Sequence, residues 1–334
     1  MNPSLNPLPY SAPSLASLTS LLQTQLDAVN ICILDKMQSS VTLIPQIAGY
    51  LVSLGGKRLR PLLTVASAEL CGYEGTRHIH IAACVEFIHT ATLLHDDVVD
   101  ESTLRRGMST ANALWSNKAS VLVGDFLFSR AFELMVKDGS LDILQILSSA
   151  TSTIAEGEVM QLASSHDLGL SQETYLKIID AKTARLFSAA TEVGAVVGGA
   201  DDAMRRALAC FGHTLGTAFQ LMDDVLDYTA DQEKLGKAVG DDFREGKVTL
   251  PVILAYKKGA GTAFWKKAFE EGVRNDETLS QATGLLKESG ALLKTKQIAQ
   301  DFVDQALECL KIFPNSCLKE ALQELAYFSL HREV

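Results

Sequence analysis

Two copies of one acidic pattern stand in this chain, Asp96-Asp97-Val98-Val99-Asp100 and Asp223-Asp224-Val225-Leu226-Asp227. Each closes a long apolar-periodic segment, and on a helix the first and last carboxylates of the pattern share a face. Like charges so placed repel, and a chain that repeats the arrangement calls for something cationic held between the copies. A hard divalent ion with oxygen ligands fits, Mg²⁺ above all, because that ion is commonly held by a few carboxylates together with substrate phosphates. One copy alone reads equally well as a solvated helix end. Two identical copies, each rooted in apolar sequence, favour the metal.

Basic residues supply the other half of the chemistry. Gly55-Gly56-Lys57-Arg58-Leu59-Arg60-Pro61 places three cations in a turn leading into a helix, where side-chain charge adds to the positive end of the helix dipole and makes an anion site. Taken alone, the cluster also reads as a solvated loop. Arg105-Arg106-Gly107 follows Asp100 closely enough for guanidinium groups to reach a diphosphate held at the first acidic motif. Lys182-Thr183 is expected to open a helix, and Lys237 and Lys247 flank Asp241-Asp242 after the second motif. Each of these lysines is a weak signal by itself. His89 lies two helical turns before Asp96 and projects from nearly the same face; it can donate to a second phosphate or serve as a hydrogen-bonded core histidine. Gln220, on the side of its helix that carries Asp223 and Asp224, can order a metal-bound water or ligand, or cap a buried polar spot.

The elements that must position these groups are helical. Patterns recur over roughly 15–35, 41–54, 61–71, 77–100, 118–137, 140–165, 171–181, 183–198, 202–228 and 248–258, with more towards the C-terminus, and Leu208, Phe211, Leu215, Phe219, Met222 and Leu226 show the period clearly. Strand-like alternation is absent. Four of the eight prolines fall in the first thirteen residues, so residues 1–14 read as a mobile leader and 15–334 as one all-α domain. With 334 residues, 47% of them hydrophobic and 21% charged, the chain can bury a sizeable core. A net charge of −10 argues against nucleic acid as a partner. The six cysteines show no CxxC spacing and mostly fall in apolar helical sequence, which suits a reducing cytosol. No secretory or transit segment is expected, and no apolar run approaches the ~18 residues that would suggest a membrane span.

With these residues in view, the stretch Glu86 to Glu101, followed by Arg105-Arg106-Gly107, resembles the first aspartate-rich motif of the all-trans polyprenyl diphosphate synthases. Gly55 to Pro61 resembles that family's GGKRLRP segment, Phe219 to Asp227 its second aspartate-rich motif, and Leu235-Gly236-Lys237, Asp241 and Gly246-Lys247 its downstream lysine region. The likeness runs from about residue 40 to 255 with every motif in order. It implies a bundle of mostly antiparallel helices around a central cavity, usually as a homodimer, with the two acidic motifs facing each other across the mouth. It further implies that Asp96, Asp100 and Asp223 ligate Mg²⁺, three ions in the closed complex with Mn²⁺ able to substitute, while Asp97, Asp224 and Asp227 give direct or water-mediated support. Arg105, Lys182, Thr183, Gln220 and Lys237, with Lys247 nearby, would hold an allylic diphosphate such as farnesyl diphosphate. Lys57, Arg60, His89 and Arg106 would hold isopentenyl diphosphate.

Short-chain members of that family usually carry aromatic rings four or five residues before the first aspartate. Here those positions hold Thr92 and Ala91. Small side chains about one turn below the metals leave room for a growing chain, so an octaprenyl to decaprenyl product is favoured over farnesyl or geranylgeranyl diphosphate. Met135 is a candidate for the tunnel floor. A transient membrane contact for product release is compatible with such a product; its use, in a quinone side chain such as that of ubiquinone or in another lipid, stays open. Three rival readings are weaker. A class I terpene cyclase usually lacks the Lys57/Arg60 cluster and has a different second metal motif. A His-Asp phosphohydrolase built on His95-Asp96 leaves the second motif unexplained. A non-catalytic partner subunit typically loses aspartates that this chain keeps.

Overall fold

The computed structural model describes residues 14–53, 55–105, 107–229 and 240–332. Of the expected leader only Ser14 lies among them, its backbone N–H donating to Glu324; Arg106 and Lys237 fall outside the described residues. In chain order the helices are α1 Ala16–Leu21, α2 Gln23–Lys36, α3 Leu43–Ser53, α4 Leu59–Leu70, α5 Arg77–Val99, α6 Ala111–Leu114, α7 Asn117–Asp138, α8 Leu141–Ala163, α9 Gln172–Ile179, α10 Arg185–Val197, α11 Asp202–Thr229, α12 Asp241–Glu245, α13 Leu250–Lys257, α14 Thr262–Phe269, α15 Asp276–Glu288, α16 Ala291–Cys309 and α17 Cys317–His331. The expected all-α class holds. A two-residue hairpin, β1 Leu104–Arg105 with β2 Met108–Ser109, is the departure; it is too short to show as alternation, and what it does is turn Arg105 back toward α5.

The core is organised along α11. Its first half contributes Leu208, Phe211 and Leu215 to one cluster with α4, α5, α7, α8 and α10, and its second half contributes Leu221, Met222, Val225 and Tyr228 to another with α9 and α13 to α16. A helix of 28 residues is ~42 Å long, enough to run through both. Its apolar residues face two partners in turn, which is why the three-to-four-residue period continues without a break from 208 to 226.

Sequence spacing separated helices 171–181 and 183–198. The structure joins them through a π-helical turn, Asp180–Ala184, so that α9 runs into α10 without a break. Widening a helix by one residue per turn costs hydrogen-bond geometry and displaces side chains outward, and such turns concentrate at functional sites. Lys182 and Thr183 therefore sit on a bulge and do not open a helix. Two close approaches fit the bulge into place. A side-chain carbon at Gly157 of α8 would lie 2.6 Å from the Ala181 Cβ, and one at Gly216 of α11 would lie 2.8 Å from the Ala184 Cα.

Candidate active site

The first acidic motif occupies the C-terminal end of α5, where the helix dipole disfavours negative charge. Three carboxylates there need compensation, and each meets a different environment. Asp97 turns inward and is 2% exposed. It accepts from Arg105 Nε at 2.9 Å and Nη2 at 2.6 Å, a two-point pairing that the hairpin aims and that locks both partners. Asp100 meets Lys247 at 2.8 Å, and Lys247 also meets Glu245 at 2.6 Å. Burial works against the lysine's charge, but Asp242, Asp100 and Glu245 outweigh it and hold the ammonium well above its usual range. Asp96 has no ion pair among the described residues. Burial, then the nearby Glu158, pushes its carboxyl up to about 7, with Lys182 pulling the other way.

The second motif also divides its carboxylates by burial and pairing. Asp224 is 1% exposed; it accepts from the Tyr175 hydroxyl and from Gln220 Nε2 at 2.9 Å, and burial, then Asp242, raises its pKa well above the usual range. Asp227 accepts the backbone N–H groups of Asp241 at 3.1 Å and Asp242 at 3.2 Å, which ties the start of α12 to α11. Asp223 alone of the three projects outward with a substantially exposed side chain, and there Arg332 meets it at 2.6 Å. Arg332 also donates to the Phe219 carbonyl at 2.6 Å, and its guanidinium lies 3.5 Å from the centre of the Phe219 ring.

Contacts from the bulge reach the second motif and α8. Thr183 donates to Gln220 Oε1 at 2.9 Å, and Gln220 in turn holds Asp224. Lys182 meets Glu158 of α8 at 2.7 Å. Glu158 is a site residue that spacing did not reveal. Its one signal is position, directly after a glycine in an otherwise periodic helix.

The GGKRLRP segment divides its three cations. Arg58 adopts a left-handed backbone, φ 46°, at the cap of α4, and pairs with the buried Glu86; it shapes the turn. Arg60 donates from Nη1 to His89 Nε2 at 3.0 Å and lies over the Phe187 ring at 4.5 Å. An arginine cannot accept, so that ring nitrogen of His89 accepts. Burial presses the Arg60 pKa down to about 10, with Glu86 and Asp223 opposing. Lys57 is exposed and lies 5.1 Å from the Phe328 ring.

Sequence treated Ala91 and Thr92 alike, but the structure separates them. Ala91 is fully buried in the first core cluster. Thr92 is half-buried, its hydroxyl donating to the His89 carbonyl at 2.8 Å, and it lies one turn before Asp96 on the same face. Met135, 2% exposed, is packed in the core on α7.

The donor chemistry suits a hard divalent cation. Asp96, Asp100 and Asp223 present carboxylate oxygens that are not sealed into the core, and ammonium or guanidinium groups compensate two of the three. Among the described residues no three His, Cys, Asp or Glu side chains converge tightly enough to enclose an ion by themselves. An all-oxygen donor set of this kind fits Mg²⁺, which keeps water and takes substrate phosphate oxygens to complete its shell.

Residues 41–286 match the family model described as polyprenyl synthetase. The chain is 45% identical over 322 residues to the octaprenyl diphosphate synthase of Escherichia coli K12, covering 96% of this chain and 99% of that protein. A geranylgeranyl diphosphate synthase of Methanosarcina mazei is 35% identical over 85% of this chain and 88% of its own. Among solved structures, a polyprenyl synthase of Caulobacter crescentus CB15 complexed with calcium and isoprenyl diphosphate superposes with a TM-score of 0.95 at 51% identity, covering 98% of this chain and 100% of that one.

Proposed function

The chain belongs to the polyprenyl synthetase family and is a prenyltransferase, and we propose that it makes long all-trans polyprenyl diphosphates by repeated, Mg²⁺-dependent condensation of isopentenyl diphosphate onto an allylic primer such as farnesyl diphosphate. The observation that carries the site assignment is the Lys247–Asp100 contact, which bridges 147 residues and lays the loop after the second acidic motif against the first. In this reading Lys182, Thr183, Gln220, Arg105 and Lys247 bind the allylic diphosphate, joined by Lys237 on the sequence resemblance alone. Lys57, Arg60 and His89, with Arg106, bind isopentenyl diphosphate. Asp96, Asp100 and Asp223 hold the metal, while Asp97, Asp224 and Asp227 keep Arg105, Gln220 and α12 in place.

When bound, Mg²⁺ would supply positive charge against the departing diphosphate. The chain's own cations act in the same sense. Breaking the allylic carbon–oxygen bond builds charge on the leaving oxygen, and cations already fixed in place stabilise it more in the transition state than before. The isopentenyl double bond then attacks the allylic cation. Arg60 and His89 orient that second substrate, and the released diphosphate, as the family resemblance implies, takes the proton lost from the new cation. Apolar helix faces beneath the site keep water from the cation.

A long product is supported by Thr92, a small side chain on the metal-bearing face of α5, and by the higher identity to the octaprenyl than to the geranylgeranyl synthase. A homodimer in the cytoplasm completes the proposal. Leu122, Phe132 and Val136 lie on one exposed face of α7, a surface a second copy would cover, and no described helix is long and apolar enough to cross a membrane; a transient membrane contact would serve release of the product.

The division of substrates is tested by varying each diphosphate with the other saturating. Arg60→Ala should chiefly weaken isopentenyl diphosphate and Lys182→Ala the allylic substrate, each by ~1.5–3 kcal/mol. Equal effects on both substrates would overturn the assignment.

A further inference from the structure

Glu158 belongs to neither aspartate motif, and three observations set it apart. Its carboxylate meets Lys182 at 2.7 Å. The residue before it, Gly157, lets α8 approach the π-turn so closely that a side-chain carbon there would lie 2.6 Å from the Ala181 Cβ and 3.1 Å from the Lys182 backbone nitrogen. The π-turn Asp180–Ala184 carries Lys182, whose ammonium reaches α8. A lysine on a four-carbon stem has many rotamers, and here the backbone bulge, the missing side chain at 157 and the carboxylate at 158 together select one.

We propose that Gly157-Glu158 is a positioning device for the allylic diphosphate: Glu158 holds the Lys182 ammonium at the edge of the site and keeps it oriented until the diphosphate arrives. The proposal rests on the assignment of Lys182 to the allylic substrate. Electrostatics gives the device a direction. Glu158 is paired with Lys182 at 2.7 Å, so an incoming diphosphate, bringing its own cations, can take the ammonium without leaving it buried and unpaired. Glu158 then acts through Lys182 and does not touch the reacting atoms.

A double-mutant cycle tests it, read as the KM of farnesyl diphosphate, the KM of isopentenyl diphosphate and kcat for Glu158→Gln, Lys182→Ala and the pair. Glu158→Gln should raise the farnesyl diphosphate KM by about tenfold and leave the isopentenyl KM within about twofold. In the Lys182→Ala background the same change should add almost nothing, because its effect runs through the lysine. Gly157→Ala, which adds no charge and removes none, should reproduce the selective rise by displacing the turn, with an unchanged helical circular-dichroism spectrum. Calorimetric binding of farnesyl thiolodiphosphate, an unreactive analogue, should weaken in parallel. Additive losses in the cycle, or equal increases in both KM values, would overturn the proposal. Parent enzyme that condenses no isopentenyl diphosphate at all would instead overturn the underlying function, so the two failures are distinguishable.

Discussion

Arg332, at the end of α17, lies 2.6 Å from the carboxylate of Asp223 while its guanidinium stacks on Phe219. The pair places a protein cation on one of the three carboxylates assigned to metal. Lys247 does the same at Asp100. Without metal, these side chains relieve repulsion among the acids; with it, they must share or surrender their partners.

Removing Arg332 should therefore have opposite effects in the two states. Arg332→Ala is expected to melt at a lower temperature than the parent in EDTA, and to reach half of its Mg²⁺-induced stabilisation at a lower metal concentration, since the ion no longer competes with a guanidinium for Asp223. Thermal melts across a MgCl₂ series check both. A metal midpoint unchanged from the parent would show that Arg332 does not compete.

Asp96 gives a pH dependence. Its folded pKa, about 7, lies above the unfolded carboxylate value, so the folded chain binds the extra proton and the metal-free protein should lose stability as pH rises between roughly 4 and 7. Above that window the contribution is gone. Asp96→Asn should flatten this part of the stability profile without abolishing it, because Asp224 and Glu245 are shifted in the same direction. Mg²⁺ affinity of the parent should rise over the same interval as the ligand loses its proton. Chemical denaturation at several pH values in EDTA measures the first effect; calorimetric titration of the metal measures the second.

The six aspartates should not be equivalent. Asp97 is spent on Arg105 and Asp224 on Tyr175 and Gln220, so Asp97→Asn and Asp224→Asn are expected to cost ~10–100-fold in kcat/KM, the range for groups that orient others. Asp96→Asn and Asp223→Asn should cost orders of magnitude more while the fold remains. Steady-state rates at saturating Mg²⁺ rank the four variants. Equal losses at all four positions would contradict the division.

Much of this was legible in the sequence because it rests on period and charge. The all-α class follows from the unbroken period of α11, and the two acidic motifs announce their own function by repetition. What stayed hidden depends on backbone detail. The π-turn at Asp180–Ala184 leaves both flanking periods intact and shifts only the phase between them, so the sequence reads it as a helix boundary. Arg332 reaches Asp223 from 109 residues away, and no spacing rule connects an isolated C-terminal arginine to a motif in another helix. Ala91 and Thr92 are both small, and only packing shows that the first is fully buried and the second half-buried.

That distinction changes where product length should respond. Thr92→Phe puts a ring on the half-buried face one turn below Asp96, and the product should shorten while the first condensation continues. Ala91→Tyr instead forces bulk into a filled core, where overpacking costs ~1–3 kcal/mol, and should lower the melting temperature. Product chromatography and thermal melts of both variants separate the effects. An unchanged product from Thr92→Phe would show that the chain grows along another face.

The most direct test of the account is the product itself. Purified enzyme incubated with farnesyl diphosphate, labelled isopentenyl diphosphate and Mg²⁺, its products dephosphorylated and separated by chain length, should yield linear all-trans octaprenyl to decaprenyl alcohols, and none when EDTA replaces the metal. Products that stop at farnesyl or geranylgeranyl length, cyclised hydrocarbons, or condensation that proceeds without divalent metal would contradict it.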